Sequence, residues 1–201
     1  MTATHPPRSA PPPVRVAPLS AERWDAEADD ALAGMLPRWR RNPDNAGNAL
    51  ATMVNHPTLT KAFLPLNVHL LFKSTLPARE RELAVLRVAY LRNCAYEWTH
   101  HVDMGHEVGL TDAEISAAAG DGVAPDEFDR ALLTAVDELH EQSRISDDTW
   151  AALGERFDDR QRMDLVFTIG TYGTLAMAFN TFGVQLDSHH SSEDHNQDNE
   201  G

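Results

Sequence analysis

The chain has 201 residues, and 17 Lys and Arg against 31 Asp and Glu give a formal net charge of −14 at pH 7. An acidic surface repels a phosphate backbone, so this charge argues against nucleic-acid binding. The single cysteine, Cys94, excludes an internal disulfide, and the N-terminal residues lack the apolar core of a signal peptide. No apolar run approaches the roughly 20 residues of a spanning helix. We therefore expect a cytoplasmic protein that does not bind membranes.

Composition divides the chain into three parts. Residues 1–18 include six prolines, which predict a flexible or surface-draped arm. Residues 188–201 carry no large apolar side chain and are predicted to form a disordered acidic tail. Residues 19–187 are predicted to form one helical domain, because 42 % hydrophobic residues suffice for an ordinary core.

Apolar residues recur at helical spacing through most of this domain. In chain order, the predicted helices cover residues 21–41 with a kink or end at Pro37, then 59–71, 77–92, 94–108, 111–120, 126–142, 146–157 and 158–183. Thr111 with Glu114 has the pattern of a capping box. Since no segment alternates like a strand, the sequence predicts an all-α bundle of about seven to nine helices.

Potentially reactive side chains are concentrated between residues 79 and 101. At 100° per residue, Cys94, Glu97 and His101 fall within about 60° on one helix face, whereas His100 points about 120° away. This spacing predicts that one of the two histidines is structural or exposed. The first turn of a helix favours a thiolate on Cys94, but Glu97 one turn later opposes it. These side chains form either a proton-sharing arrangement or a buried polar cluster.

The same segment resembles a known family. Arg81-Glu82-Leu83, the run from Cys94 to His101, and the run from Gly109 to Ile115 are similar to the carboxymuconolactone decarboxylase and alkylhydroperoxidase D-like family. The resemblance extends to Tyr172 and residues 180–186, and covers about residues 20–187. It implies a compact multi-helix bundle that assembles into a symmetric homo-oligomer and acts on a small-molecule substrate.

The chain departs from the peroxidase branch of this family at one position. That branch has the pattern E-x11-C-x-x-C-x-x-x-H, which Glu82, Cys94 and His101 match, whereas Glu97 replaces the second cysteine. Without that thiol the intramolecular disulfide cannot form, so Cys94 would need reduction by an outside thiol. In the decarboxylase branch the cysteines are dispensable, and polar side chains handle the protons of a small lactone acid.

The resemblance therefore implies a set of site residues and a choice of activities. The predicted catalytic residues are Glu82, Cys94, Glu97 and His101, and the predicted substrate-binding residues are Tyr96, Trp98 and His100. We expect cofactor-free acid–base chemistry on a small organic acid or lactone. The alternatives are a single-cysteine peroxidase using Cys94 and a non-catalytic, redox-responsive or partner-binding bundle.

Two further expectations concern charge at the site. No metal is predicted, because Glu97-x-x-His100 has the spacing of di-iron helices but its nearest repeat, Asp103-x-x-His106, lies on the same helix. An anionic substrate would need local positive charge on an acidic protein. The candidate sources are Arg79, Arg81, Arg87 and Arg92.

Overall fold

The computed structural model describes residues 12–187, and within them it contains nine α-helices and no strand. This confirms the predicted all-α class. Residues 1–11 of the predicted arm and the predicted tail, 188–201, lie outside the described residues. The helices are α1 (Ala26–Ala31), α2 (Asn48–Met53), α3 (Pro57–Phe72), α4 (Ala78–Leu91), α5 (Ala95–Glu107), α6 (Asp112–Ala118), α7 (Glu127–Gln142), α8 (Asp147–Leu153) and α9 (Asp159–Phe182).

The later helices begin at side-chain caps close to their predicted positions. Thr111 and Glu114 form a complete capping box at the start of α6. Asp126, Ser146 and Asp158 accept hydrogen bonds from the first-turn amides of α7, α8 and α9, respectively. Each cap satisfies amides that have no partner inside the helix, which is why such local sequence signals fix helix starts.

The predicted continuous helix over residues 21–41 is wrong. The segment contains a 3₁₀ turn at Ala21–Arg23, the short helix α1 and a second 3₁₀ turn at Arg38–Arg40. The Asp25 side chain accepts hydrogen bonds from the amides of Glu27 and Ala28, so a new helix starts after Asp25. Leu32 and Leu36 are nevertheless buried, because the short pieces pack on α3.

Helix α4 lies at the centre of the bundle and packs against α5, α6, α7 and α9. Its residues 83–86 are completely buried. Two of its arginines join it to neighbouring helices. Arg79 donates to both carboxylate oxygens of Asp129, at 2.9 and 2.6 Å, and Arg87 donates to Asp137 at 2.7 and 3.0 Å.

The described part of the arm follows the surface of the bundle. The backbone amides of Arg15 and Val16 both donate to the carbonyl of Phe182 at the end of α9. Gln185 donates to the carbonyl of Pro12. Residues 12–18 therefore contact the segment that follows α9.

Helix α9 is the longest in the described chain, with 24 residues. Its length and composition alone would also fit a membrane-crossing helix. Half of its apolar 18-residue window is buried inside the bundle. One face of α9 therefore forms part of the core, whereas another face reaches solvent.

Candidate active site

A tight connection between α4 and α5 brings the predicted site residues together. Only residues 92–94 separate the two helices, and Asn93 adopts a left-handed conformation with φ 52°. The chain therefore reverses, and α5 returns along α4. This places Glu82 of α4 against His101 of α5.

Glu82 and His101 form a buried carboxylate–imidazole pair. The Nδ1 atom of His101 lies 2.5 Å from Oε2 of Glu82, and Arg81 donates to Oε1 at 3.0 Å. The side chain of Glu82 is fully buried. Burial alone would raise the pKa of Glu82, but the hydrogen bond and charge of His101 and the charge of Arg81 outweigh it and lower that pKa.

The ionised state of Glu82 decides the tautomer of His101. A carboxylate can only accept hydrogen bonds, so the contacting Nδ1 of His101 carries the hydrogen. In a neutral imidazole, Nε2 is then the basic nitrogen. The ring packs edge-on against Tyr172 of α9, with centroids 4.9 Å apart, which fixes its plane.

Glu97 is a buried carboxyl one turn before His101 on α5, and it lines the same pocket. It is 3 % exposed, and neither of its oxygens has a hydrogen-bond partner in the described part of the chain. Burial raises the pKa of Glu97 to about 8, against an opposing contact from the Cys94 thiol. At neutral pH Glu97 is therefore mostly protonated and can donate a proton.

Cys94 lies immediately before the first residue of α5 and is 1 % exposed. Burial, and then the adjacent Glu97, raise the pKa of its thiol. A raised pKa leaves little of the thiolate, which is the reactive form. Cys94, Glu82 and Trp98 are absent from the pocket lining described below, and Trp98 packs against Tyr90 with centroids 6.1 Å apart.

A second polar group contains two of the predicted binding residues and one residue that the sequence analysis missed. Asp187 accepts a hydrogen bond from Tyr96 Oη at 2.8 Å and lies 3.2 Å from Nε2 of His100. It also accepts from the backbone amide of Asn48 at 2.7 Å. Although burial opposes ionisation, the hydrogen bonds from His100, Asn48 and Tyr96 lower the pKa of Asp187 to about 2. Burial and the charge of Asp187 raise the pKa of Tyr96.

Both polar groups open into one pocket of about 370 Å³. Glu97, His100, His101 and Tyr96 line it from α5, so α5 presents both histidines although they lie on different stripes of the helix. The other walls are mainly apolar and come from α2, α3, α9 and the residues between α1 and α2. They include Leu36, Phe63, Leu64, Tyr172, Leu175 and Phe179.

The charge near this pocket differs from the sequence-based expectation. Arg79 and Arg87 bind acidic residues of α6 and α7, Arg81 binds Glu82, and Arg92 faces another groove. Arg40 instead lies on the pocket wall.

Within residues 12–187 no group of three or more His, Cys, Asp or Glu residues is arranged to hold a metal ion.

Comparison with known proteins agrees with this architecture. Residues 57–141, from α3 to near the end of α7, match the Carboxymuconolactone decarboxylase family. No curated protein matches the chain significantly.

Several solved structures share the fold. An uncharacterized peroxidase-related protein from Ralstonia eutropha JMP134, with an alkylhydroperoxidase AhpD core, has a TM-score of 0.72 and 18 % identity, over 89 % of this chain and 96 % of that chain. The debrominase Bmp8 in complex with 2,3,4-tribromopyrrole has a TM-score of 0.67 and 16 % identity, over 89 % and 94 %. A protein of unknown function from Agrobacterium tumefaciens has a TM-score of 0.60 and 24 % identity, over 66 % and 93 %.

These identities are too low to transfer an activity, and the structural likeness shows the fold alone. The family match covers α4 and α5, the two helices that carry the Glu82–His101 pair. Residues 57–141 thus match the Carboxymuconolactone decarboxylase family model, and the chain as described has the all-α fold of the AhpD-like structures.

Proposed function

We propose that this protein is an acid–base enzyme of the decarboxylase or lyase type that acts on a small organic acid or lactone. The observation that carries the proposal is the buried pair of Glu82 and His101, which holds an imidazole in the same pocket that the protonated carboxyl of Glu97 lines. A base and an acid with different protonation states in one pocket are what proton transfer requires.

Each of the three residues has a distinct role in this proposal. His101 removes a proton from the substrate through Nε2, and Glu82 stabilises the imidazolium that results. Glu97 gives its proton to the substrate. In a decarboxylation, the bond to the substrate carboxylate breaks, CO₂ leaves, and the electron pair passes into a conjugated carbonyl group. The proton of Glu97 then replaces CO₂ on carbon. The proton that His101 took from the carboxyl group of the substrate passes through solvent to Glu97, so both residues return to their starting states.

The pocket favours a compact and largely apolar substrate. Its walls are aliphatic and aromatic, and a volume of about 370 Å³ suits a single substituted ring. Arg40 offers a permanent positive charge for one anionic group of the substrate. The debrominase Bmp8, which is similar in fold, is known in complex with 2,3,4-tribromopyrrole, and this supports a compact ring as the ligand of the pocket proposed here.

The test is a panel of candidate substrates incubated with the full chain in D₂O. The panel contains carboxymuconolactone, related lactone acids, 2,3,4-tribromopyrrole and hydrogen peroxide. NMR follows loss of CO₂ and incorporation of deuterium. Conversion of a lactone acid with deuterium at the former carboxylate position supports the proposal. Consumption of peroxide alone, or no conversion of any compound, contradicts it.

The peroxidase alternative predicts a strict requirement for Cys94. We expect instead that Cys94→Ser retains turnover within about twofold, because the thiol is buried and its raised pKa disfavours the thiolate. Initial rates with the lactone acid and with hydrogen peroxide measure this. If Cys94→Ser abolishes peroxide consumption by an otherwise active wild-type protein, the peroxidase assignment replaces ours.

Asp187 is expected to hold the segment after α9 against the pocket wall. Its depressed pKa means that it stabilises the folded state above its unfolded pKa, and that this contribution is lost as the pH falls towards about 2. Asp187→Asn should therefore lower the free energy of unfolding at pH 7 by about 1–2 kcal/mol, with a smaller loss in acid. Urea denaturation at several pH values measures the difference.

The control for Asp187→Asn is Asp121→Asn, which changes an exposed carboxylate far along the chain from the pocket. The amide of Asn48 provides a local readout, because it donates directly to Asp187. Its hydrogen exchange should accelerate in Asp187→Asn and stay unchanged in Asp121→Asn. Equal exchange of that amide in wild type and Asp187→Asn would disprove the anchoring role.

A further inference from the structure

A second cavity lies beside the candidate active-site pocket, and no step of the proposed reaction uses it. Its volume is about 340 Å³, and its walls come mainly from α2, α3, α9 and the arm. They are almost entirely apolar and include Val16, Leu59, Ala178 and Phe182. We call this cavity the side groove. Its size and lining are typical of a binding cavity for a small apolar group.

One layer of side chains separates the side groove from the pocket. Met53 of α2, Phe63 of α3 and Leu175 of α9 line both cavities. Leu175 belongs to the buried core, whereas Met53 and Phe63 are only partly buried. A methionine side chain has three rotatable bonds and adapts to irregular gaps. A change of rotamer at Met53 can therefore join the two cavities without movement of a helix.

The arm closes one side of the side groove. The backbone amide of Val16 donates to the carbonyl of Phe182 at 3.0 Å. The side chain of Asn55 donates to the carbonyl of Ala17 at 2.9 Å. These hydrogen bonds hold Val16 against the groove from two sides. The groove therefore has fixed walls, as cavities that bind small molecules usually have.

The chemistry of the side groove favours an uncharged and apolar occupant. None of the described residues that line it is Asp, Glu, Lys or Arg. The polar side chains of Asn55, Thr60 and Thr174 donate to backbone carbonyls of the protein itself. A charged group would lose its water there without gaining a partner, whereas an alkyl group is stabilised by leaving water.

The parts of the chain outside the described residues do not supply such an occupant. Residues 188–201 contain no large apolar side chain, and Met1 is the only one in residues 1–11. The position of the groove points instead to the ligand of the neighbouring pocket. An acid bound there with its charge near Arg40 has only the layer of Met53, Phe63 and Leu175 between it and the groove.

We infer that the side groove binds a linear alkyl substituent of the substrate, which passes from the pocket between Met53 and Phe63. A linear chain is favoured because it is narrow enough to pass between two side chains. The inference rests on the proposed function and restricts its substrate class. The reacting part of the substrate lies beside Glu97 and His101, and the substrate carries an alkyl chain of several carbons.

Isothermal titration calorimetry of the full chain with acetate, butyrate, hexanoate and octanoate tests this inference. These saturated acids do not undergo the proposed decarboxylation, so the measurement is independent of turnover. Kd should fall about fourfold for each added methylene, which is the effect of burying one CH₂ group. Ala178→Phe fills the side groove. It should leave the Kd of acetate and butyrate within twofold of wild type and raise that of octanoate at least tenfold.

Two further substitutions on α9 keep this test independent of protein stability. Thr174→Phe also narrows the side groove and changes an exposed residue, so it should retain the fold in circular dichroism and weaken octanoate binding. Thr181→Phe is the matched control, because Thr181 is an exposed residue of the same helix that does not line the groove. It should bind all four acids as wild type does.

Arg40→Gln tests whether the acid group lies in the pocket while the chain lies in the side groove. It should weaken the binding of all four acids by a similar factor of about threefold, because the exposed guanidinium pairs with the carboxylate in each case. If octanoate binds Arg40→Gln as tightly as wild type, the ligand lies in the groove alone and the inference is wrong.

Three other results would overturn the inference. They are a Kd that does not depend on chain length, equal octanoate binding by wild type and both groove variants, and a changed sedimentation coefficient of Ala178→Phe with unchanged acid binding. The last would assign the groove to a contact between copies of the chain. Failure of the proposed function is seen separately, as absence of turnover in the substrate panel while octanoate binding still depends on Ala178.

Discussion

His101→Asn is expected to lower kcat/KM for the substrate identified in the panel by about 10²–10⁴-fold. The Asn amide nitrogen can take the place of Nδ1 and keep the hydrogen bond to Glu82, but no atom replaces the basic Nε2. His101→Gln is complementary, because it extends towards the Nε2 position and loses the contact with Glu82. Both variants should be inactive if the basic nitrogen and its orientation are each required.

The matched control for His101 is His106→Asn, which changes a histidine on the same helix outside the pocket. This variant should keep wild-type kcat/KM. Thermal unfolding of all three variants distinguishes loss of chemistry from loss of fold. Full activity in folded His101→Asn would exclude proton transfer by this residue and contradict the proposed function.

The region from α4 to α5 was predictable because its structure is local. A short connection between two helices fixes their antiparallel packing, and the spacing of Glu82, Glu97 and His101 then determines that they meet. Helix starts at Asp126, Ser146 and Asp158 were predictable for the same reason, because a cap acts within one turn.

Contacts between distant segments could not be predicted in this way. Asp187 reaches Tyr96 and His100 from beyond the end of α9, and no local pattern distinguishes it from the other acidic residues near the C-terminus. The partners of the arginines were unpredictable for the same reason. Arg79 and Arg87 were candidates for binding substrate, but their partners on α6 and α7 are determined by the packing of α4.

The error at residues 21–41 has a different cause. Apolar spacing identifies which side chains face the core, and Leu32 and Leu36 are indeed buried. Apolar spacing does not show whether one helix continues through the segment or a new helix starts at a capping residue. Asp25 provides that cap, so the segment folds as short pieces that still bury Leu32 and Leu36.

Glu97→Gln is expected to change the pH dependence of stability more than any other single substitution in the pocket. The pKa of Glu97 is raised to about 8 in the folded protein, well above its unfolded value. The folded state therefore retains a proton that the unfolded state loses, and stability falls as the pH rises between about 4.5 and 8. The slope from this residue is about 1.4 kcal/mol per pH unit.

Gln has nearly the shape of protonated Glu and does not ionise, so this slope should disappear in Glu97→Gln. The variant should exceed wild type by up to about 3 kcal/mol at pH 7 and equal it near pH 4.5. Glu107→Gln, at an exposed position of the same helix, should follow wild type. Urea denaturation across this pH range measures all three proteins, and parallel curves for wild type and Glu97→Gln would show that the buried carboxyl is ionised.

The same substitution separates stability from catalysis. Glu97→Gln should lose the proton-donating step although it is the more stable protein at neutral pH, because an amide cannot deliver the proton that replaces CO₂. Wild-type activity should correspondingly decline as the pH rises through about 8, where Glu97 loses its proton. A buried acid that costs stability while enabling turnover is consistent with a functional site. A stabilised variant with undiminished activity would remove Glu97 from the mechanism and leave His101 to act with another proton donor.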